Sequence, residues 1–209
     1  MRPIIKWCKL LSIALILSVI LLTQESMASE DLIVNGGFEI GNFVGWNAPC
    51  QATPYVGTCM VVSSNIGQAH TGNYSAEIGT TTYSMGVGTT GYLSQNITVP
   101  ARSKATLSFW YRVDKGAKLR FYLQDAAGYK IQESTFGETP TWTQFRYEIS
   151  PQYGGKSIIL VLEGTAFSDL QSRYEEVNFS SDGGYRALVT FKQSYYPYID
   201  DVSVIIEAS

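Results

Sequence analysis

Aromatic rings alternate with arginine and glutamine along two neighbouring stretches of the sequence, residues 105–113 and 118–125. An aromatic ring can stack on the apolar C–H face of a sugar, while guanidinium and amide groups can hydrogen-bond to its hydroxyls. We expect these side chains to converge on the outward face of the two strands and to bind carbohydrate. The alternative is that a long excursion of the chain or a neighbouring subunit covers that face. The side chains concerned are Trp110, Arg112, Arg120, Tyr122 and Gln124.

The sequence contains one short motif that also occurs in the catalytic sites of some β-sandwich enzymes. Gln68-Ala69-His70 fits the Gln-x-His of alginate-lyase-like enzymes, but the arginine-rich strand that accompanies it there is not convincingly present. The close carboxylate pair that retaining glycosidases need, in the Glu-x-Asp-x-x-Glu strand of jelly-roll glucanases, is absent from the sequence. No Gly-x-Ser-x-Gly, His-Glu-x-x-His or phosphate-binding loop occurs. We therefore expect no catalytic activity and interpret His70 as structural.

Residues 1–28 have the composition of a secretion signal. Basic residues precede an apolar run from Leu10 to Leu22, and small residues lead to a cleavage point after Ala28. The run is shorter than the ~20 residues that a membrane span needs, although an uncleaved anchor is the alternative. We expect one secreted domain of residues 29–209. Its formal net charge would move from −3 for the whole chain to about −5, which argues against nucleic acid as a ligand.

Two cysteines remain outside the signal, Cys50 and Cys59. An isolated pair in an oxidising compartment usually forms a disulfide, which we expect here. A zinc site is not favoured, because His70 is the only histidine and no further cysteine exists in residues 29–209. The pattern for N-linked glycosylation, or a chance match to it, occurs at Asn73, Asn96 and Asn178.

Alternation of apolar and polar residues with a period of two dominates the rest of the sequence and predicts strands. It is clearest in 105–113 and 118–125, and 157–163 has the composition of a fully buried strand. Short strands separated by turn residues predict an all-β fold, an antiparallel β-sandwich or jelly roll of roughly ten strands. Residues 165–186 form a long excursion, expected as a surface loop or hairpin, with one or two helical turns allowed at 169–177.

Four motifs follow one another along the chain and carry a resemblance to a known family. They are Asn35-Gly-Gly-Phe-Glu39 with Gly45-Trp46, then His70-Thr-Gly-Asn-Tyr-Ser75, then Leu93 to Pro100 followed by Leu107-Ser-Phe-Trp-Tyr111, and finally Tyr198 to Val204. In these motifs the chain resembles the secreted carbohydrate-binding modules of families 4 and 9, within the galactose-binding-like jelly rolls. The resemblance covers about residues 35–204 and implies a binding module without catalytic activity. The excursion at 165–186 departs from the family pattern.

The same resemblance implies a structural calcium ion, held by oxygen ligands between the opening segment, the second motif and the closing strand. Strand periodicity adds that Asp200 shares a face with Val202 and Val204, so that its carboxylate would point inward and need a cation or several donors. The alternative is that Glu39 and Asp200 only cap backbone amides. The positions that match the family's calcium ligands are Gly37, Glu39, Thr71 and Asp200.

The ligand expected from these observations is a polysaccharide or another glycan, with calcium bracing the fold. The alternative function is that of an extracellular surface, matrix or filament-forming protein. In such a filament, the segment Glu30 to Val34 would pair with the sheet edge of the next subunit. A monomer that binds glycan would support the first function, and concentration-dependent polymers would support the second.

Overall fold

In the described part of this computed structural model, ten β-strands in two antiparallel sheets make up nearly all of the regular structure, together with a short 3₁₀ turn at Pro151–Tyr153. The structure describes residues 29–48, 59–63, 68–79, 86–177 and 185–207. The strands are β1 (Cys59–Ser63), β2 (Tyr74–Ile78), β3 (Gly86–Thr98), β4 (Lys104–Val113), β5 (Lys118–Asp125), β6 (Lys130–Phe136), β7 (Thr139–Ile149), β8 (Ser157–Val177), β9 (Tyr185–Tyr195) and β10 (Pro197–Glu207).

The strands divide into two sheets, which we call A and B. Sheet A has the order β1-β2-β10-β4-β7, and sheet B has the order β3-β8-β5-β6, with β9 pairing to the far half of β8. All of these strand pairs are antiparallel. The predicted all-β antiparallel sandwich is therefore confirmed.

The core lies between the two sheets and is filled by alternate residues of their strands. Phe109 of β4 and Phe121 of β5 are fully buried and meet across the sandwich, with ring centroids 5.6 Å apart. Burial of one such side chain contributes roughly 1.5–3 kcal/mol to folding. Because successive side chains of a strand point to opposite faces, the residues between these core positions must lie on the two outer faces of the sandwich.

The first glycine of the opening motif is explained by a close approach of two backbones. Val202 donates a hydrogen bond to the carbonyl of Gly36 at 3.0 Å, and a Cβ at Gly36 would lie 1.8 Å from the carbonyl oxygen of Val202. The motif's aromatic residues enter the core. Phe38 is fully buried against Trp46, with centroids 5.7 Å apart, and the indole N–H of Trp46 donates to the carbonyl of Asn35 at 3.1 Å.

The amino-terminal segment, residues 30–48, fastens the two sheets together. In sheet A, Leu32 donates to the carbonyl of Val204 at 2.9 Å. At the edge of sheet B, Asn47 and Ser94 exchange two backbone hydrogen bonds of 2.8 and 3.0 Å. The start of this segment, which the filament hypothesis assigns to a neighbouring subunit, thus pairs with β10 of its own chain.

The excursion after residue 165 is a long hairpin. Strand β8 continues to Val177 and pairs with β9 from Phe167 opposite Tyr195 to Val177 opposite Tyr185. The prediction of a hairpin is correct, whereas the helical turns allowed at 169–177 are wrong. Cross-strand contacts account for the extended conformation, since the hydroxyls of Ser172 and Thr190 lie 3.0 Å apart across the pair.

Several predictions lie outside the described residues. They concern the secretion signal at 1–28, the cysteine side chains, and the glycosylation pattern at Asn178. Within the part of the chain that the structure does describe, no helix has the length and apolar character needed to cross a membrane.

Candidate functional site

The five side chains predicted to bind a ligand lie on two opposite faces of the sandwich. Trp110 and Arg112 belong to β4 and point outward from sheet A, whereas Arg120, Tyr122 and Gln124 belong to β5 and point outward from sheet B. The turn that joins β4 to β5 crosses from one sheet to the other. The two groups therefore do not converge, and the prediction of a single face is wrong.

The outer face of sheet B holds a cleft of about 710 Å³. Its floor and one wall come from β3, β5 and β8, and its other wall comes from the amino-terminal segment. Of the five residues predicted to bind a ligand, Tyr122 and Gln124 line this cleft, and Arg120 lies beside it. The lining residues are Leu32, Val34, Gly45, Asn47, Tyr92, Ser94, Gln95, Asn96, Tyr122, Gln124, Ile159, Val161 and Glu163.

Strand register sets the order of side chains across this cleft. In the central row, Ser94 of β3, Val161 of β8 and Tyr122 of β5 lie side by side. The row on one side contains Tyr92, Glu163 and Arg120, and the row on the other side contains Asn96, Ile159 and Gln124. The cleft thus combines an aliphatic strip along β8 with tyrosines and amides on both sides of it.

Charged side chains beside the cleft are paired with one another. Arg120 hydrogen-bonds to Glu133 and lies 3.2 Å from Glu163, and Lys130 lies 2.8 Å from the second oxygen of Glu133. The hydrogen bonds from Lys130 and Arg120 lower the pKa of Glu133. The site therefore presents balanced charges rather than an excess of one sign.

The two cations also hold the ring of Tyr122. The guanidinium carbon of Arg120 and the ammonium of Lys130 each lie 5.1 Å from the ring centroid, within the range of cation–π attraction. Burial raises the pKa of Tyr122, and the charge of Glu163 raises it further, so the phenol is neutral near pH 7 and can donate or accept. Tyr92, across the cleft, is 43% exposed. The period-two pattern predicted the outward direction of Tyr122, but nothing in the sequence paired it with Tyr92.

On the opposite face of the molecule, Trp110 is half-buried, and another ring stacks on it. The ring of His70 stacks on it with centroids 3.8 Å apart, and the Nδ1 atom of His70 lies 2.7 Å from a carboxylate oxygen of Asp201. Arg112 lies 4.4 Å from the ring centroid of Tyr198. The interpretation of His70 as a structural residue agrees with these contacts.

A buried carboxyl group lies on the same face of sheet A. Glu77 of β2 is 7% exposed and stands opposite Tyr198 of β10. Burial raises the pKa of Glu77 to about 7, and the negative charge of Asp114 adds to the rise, although a hydrogen bond with Tyr198 opposes it. Gln68 donates to the hydroxyl of Tyr198 at 3.1 Å, which closes a small polar network under the 68–73 loop.

The four residues predicted to bind calcium meet at one corner of the molecule. Asp200 is fully buried and accepts backbone hydrogen bonds from His70 at 2.8 Å and Thr71 at 3.2 Å. Glu39 accepts from Asn73 and Tyr74, each at 2.9 Å. Both carboxylates thus cap backbone amides, as the alternative interpretation expects.

The inward parity assigned to Asp200 is wrong. Asp200 lies opposite Trp110 on the outer side of sheet A, whereas Val204 lies opposite Leu107 in the core. A bulge between Asp200 and Ser203, with φ of +48° at Asp201, shifts the alternation. Asp200 is buried because the 68–73 loop covers it, and burial together with the charge of Asp201 raises its pKa to about 6.

These residues fit calcium in the chemistry of their donors, which are hard oxygens. A Cβ at Gly37 would lie 3.6 Å from Oδ1 of Asp201 and 4.0 Å from Oδ1 of Asp200, so the missing side chain leaves room beside two carboxylates. Within the described residues, no group of three His, Cys, Asp or Glu side chains is close enough to hold a metal by itself. Backbone carbonyls or water would have to supply the remaining ligands.

Solved structures share this fold at low sequence identity. TmCBM61, solved in complex with β-1,4-galactotriose, is 20% identical with a TM-score of 0.57, over 86% of this chain and 100% of that one. Family 16 Carbohydrate Binding Module-2 is 18% identical with a TM-score of 0.51, over 83% and 98%. The enzymatically active domain of tailspike protein 4 from bacteriophage CBA120 is 12% identical with a TM-score of 0.51, over 85% of this chain but 21% of that one.

Comparison by sequence gives a more specific result. No curated protein matches the chain. The family of carbohydrate-binding domains CBM_4_9 matches residues 30–169, which extend from the amino-terminal segment through β1 to β7 and into β8. The chain therefore belongs to the CBM_4_9 family of carbohydrate-binding domains.

Proposed function

We propose that this protein is a secreted, non-catalytic module that binds a polysaccharide chain in the cleft of sheet B. The observation that carries the proposal is the cleft itself, in which Tyr92 and Tyr122 flank the strip formed by β8. The proposal moves the expected ligand face away from Trp110, because the ring of His70 already stacks on that indole.

The side chains of the cleft would make two kinds of contact with a sugar, ring stacking and hydrogen bonding. Tyr92, the more exposed of the two tyrosines, would stack against the C–H face of a sugar ring. Tyr122, held between Arg120 and Lys130, would offer its ring edge and hydroxyl. Gln124 and Asn96 carry both donors and acceptors, which suits sugar hydroxyls.

The charges beside the cleft support binding rather than hydrolysis. A glycosidase needs one carboxyl with a raised pKa as its general acid. Glu133 has a lowered pKa, and both Glu133 and Glu163 pair with Arg120. An open cleft removes little water from each sugar, so we expect weak to moderate affinity.

The proposal also constrains modification of the chain. Asn96 lines the cleft, and a glycan attached there would occupy the volume that the ligand needs. The proposed function therefore requires an unmodified Asn96, whereas Asn73 lies near Glu39 and away from the cleft lining. Mass spectrometry of the secreted protein would detect a glycan at either position.

We further propose that one calcium ion braces the corner formed by Gly37, Glu39, Thr71 and Asp200. The support is the oxygen-rich donor set and the space at Gly37. When bound, the ion would supply positive charge beside Asp200 and would not contact the sugar. Glu39 and Asp200 would keep their hydrogen bonds to the 70–74 backbone and so orient their free lone pairs.

The experiment is a binding assay on residues 29–209 with a panel of soluble and insoluble polysaccharides. Tyr92→Ala and Tyr122→Ala remove the two cleft tyrosines, and Trp110→Ala tests the opposite face. We expect the first two variants to lose binding and the third to keep it while folded. Binding lost only in Trp110→Ala would place the site on sheet A and contradict the proposal.

A further inference from the structure

On one side of the cleft, the amino-terminal segment contributes two aliphatic side chains beside the amide of Asn47. Leu32 and Val34 line the cleft there, and Val161 and Ile159 of β8 continue the apolar surface across its floor. Val161 is 4% exposed although it points outward from sheet B, so neighbouring side chains shelter it from water. Ser94 of β3 stands between β8 and the segment, where it pairs with Asn47.

The Val34 side chain is held in place by two separate features. The side-chain amide of Gln95 pairs with both backbone groups of Val34, accepting from its N–H at 2.8 Å and donating to its carbonyl at 3.0 Å. Gly45 packs directly against it, because a Cβ at that position would lie 2.8 Å from a methyl carbon of Val34. Val34 nevertheless remains 55% exposed. The fold therefore fixes an apolar, β-branched side chain at the mouth of the cleft.

This surface suits a chemical group that an unsubstituted sugar does not carry. A hydroxyl pressed against the methyl groups of Val34 would lose hydrogen bonds to water, and the Val34 side chain offers none in return. A methyl group would instead leave water favourably on the same surface. Sugar hydroxyls would instead be bound by the side-chain amides that flank the strip, Gln124 of β5 and Asn96 of β3.

We propose that the Leu32–Val34 side of the cleft is a subsite for a methyl-bearing substituent of the glycan. The substituent could come from an O-acetyl ester or from the methyl group of a 6-deoxy sugar, which share this chemistry. The inference rests on the proposed function, since it concerns selectivity within the same cleft.

The test compares matched polymers that differ only in the substituent. Acetylated xylan would be compared with the same xylan after mild alkaline deacetylation, and fucosylated xyloglucan with xyloglucan lacking fucose. Burial of one methyl group predicts about fourfold tighter binding of the substituted member, by affinity electrophoresis or calorimetry. A preference in the first pair identifies an acyl group as the substituent, and a preference in the second pair identifies a 6-deoxy sugar.

Variants connect the preference to Val34. Val34→Thr replaces a methyl with a hydroxyl at nearly constant shape. The ratio of the affinities for the substituted and the unsubstituted polymer should then fall to about one. Val44→Thr is the matched control, because Val44 is 56% exposed in the same segment but does not line the cleft. It should keep the preference, and the melting temperature of both variants shows that they fold.

The outcomes separate the inference from the proposed function. Equal binding of both members of each pair, lost in Tyr122→Ala, would overturn the apolar subsite and leave the cleft as the binding site. A preference that survives Val34→Thr would also overturn the assignment to this side of the cleft. If the wild type binds none of these polymers, whether substituted or not, the result would contradict both the methyl subsite and the proposed function of the cleft for these glycans.

Discussion

The imidazole of His70 lies flat on the indole of Trp110, with ring centroids 3.8 Å apart and an angle of 14° between the ring planes. A side chain from the β1–β2 connection thereby covers one face of this indole on sheet A. Asp201 holds the same imidazole from its edge, at 2.7 Å from Nδ1. One face of Trp110 is therefore used in packing, whereas the cleft of sheet B presents two tyrosines, of which Tyr92 is 43% exposed.

Glu77 makes stability depend on pH. Its pKa is about 7 in the folded protein, against an ordinary value of 4.5, so the folded state binds more protons between these values and loses stability as pH rises through them. Glu77→Gln removes this loss and should stabilise the protein by roughly 1–3 kcal/mol at pH 8, with little effect at pH 4. Chemical denaturation of both proteins at the two pH values measures the difference. A variant less stable than wild type at pH 8 would show that the ionised carboxylate is needed.

Gly36 is expected to tolerate no side chain. A Cβ there would lie 1.8 Å from the carbonyl oxygen of Val202, which is backbone and cannot rotate away. Gly36→Ala should therefore destabilise the fold by roughly 3 kcal/mol. Gly137→Ala is the control, because a Cβ at Gly137 meets nothing within 4 Å, and its effect should stay within about 0.5 kcal/mol. Equal melting temperatures for the two variants would refute the close approach of the two backbones.

Calcium should raise the melting temperature. A ligand at about 100 times its dissociation constant stabilises the folded state by about 2.7 kcal/mol, which corresponds to roughly 5–10 °C for a chain of this size. Scanning calorimetry in calcium, in magnesium and in chelator measures the shift, and Glu39→Gln should reduce it. Glu138→Gln changes an exposed carboxylate elsewhere and should leave it intact. Identical melting curves in calcium and in chelator would contradict the proposal of a stabilising calcium ion.

The faces of individual strands could be predicted from the sequence, but their distribution between the sheets could not. Alternation correctly puts Phe109 and Phe121 in the core and Tyr122 outside. It does not say whether the turn after β4 forms a hairpin or crosses to the other sheet, since Lys115-Gly116 is compatible with both. The alternation alone is therefore compatible with a single face for Trp110 and Tyr122, although they lie on opposite faces.

Two further features depend on contacts that no local pattern contains. The bulge after Asp200 reverses the alternation, and it is stabilised by bonds from a loop about 130 residues earlier in the chain. The Val34 wall of the cleft depends on Gln95, which is 61 residues away in sequence. The opening motif, Asn35 to Trp46, resembles a family and can be found in the sequence, whereas the role of the preceding Leu32 and Val34 as a wall is visible only in three dimensions.

The most direct test of the account is the affinity of the protein for a polysaccharide retained by wild type, measured with Tyr122→Ala and Tyr129→Ala side by side. Tyr129 is the matched control, because it is 75% exposed on the turn after β5 and does not line the cleft. Both variants should keep the melting temperature of wild type within a few degrees. The account predicts that Tyr122→Ala weakens binding at least about tenfold and that Tyr129→Ala does not. Unchanged affinity in Tyr122→Ala and in Tyr92→Ala would contradict the assignment of the ligand to the cleft of sheet B.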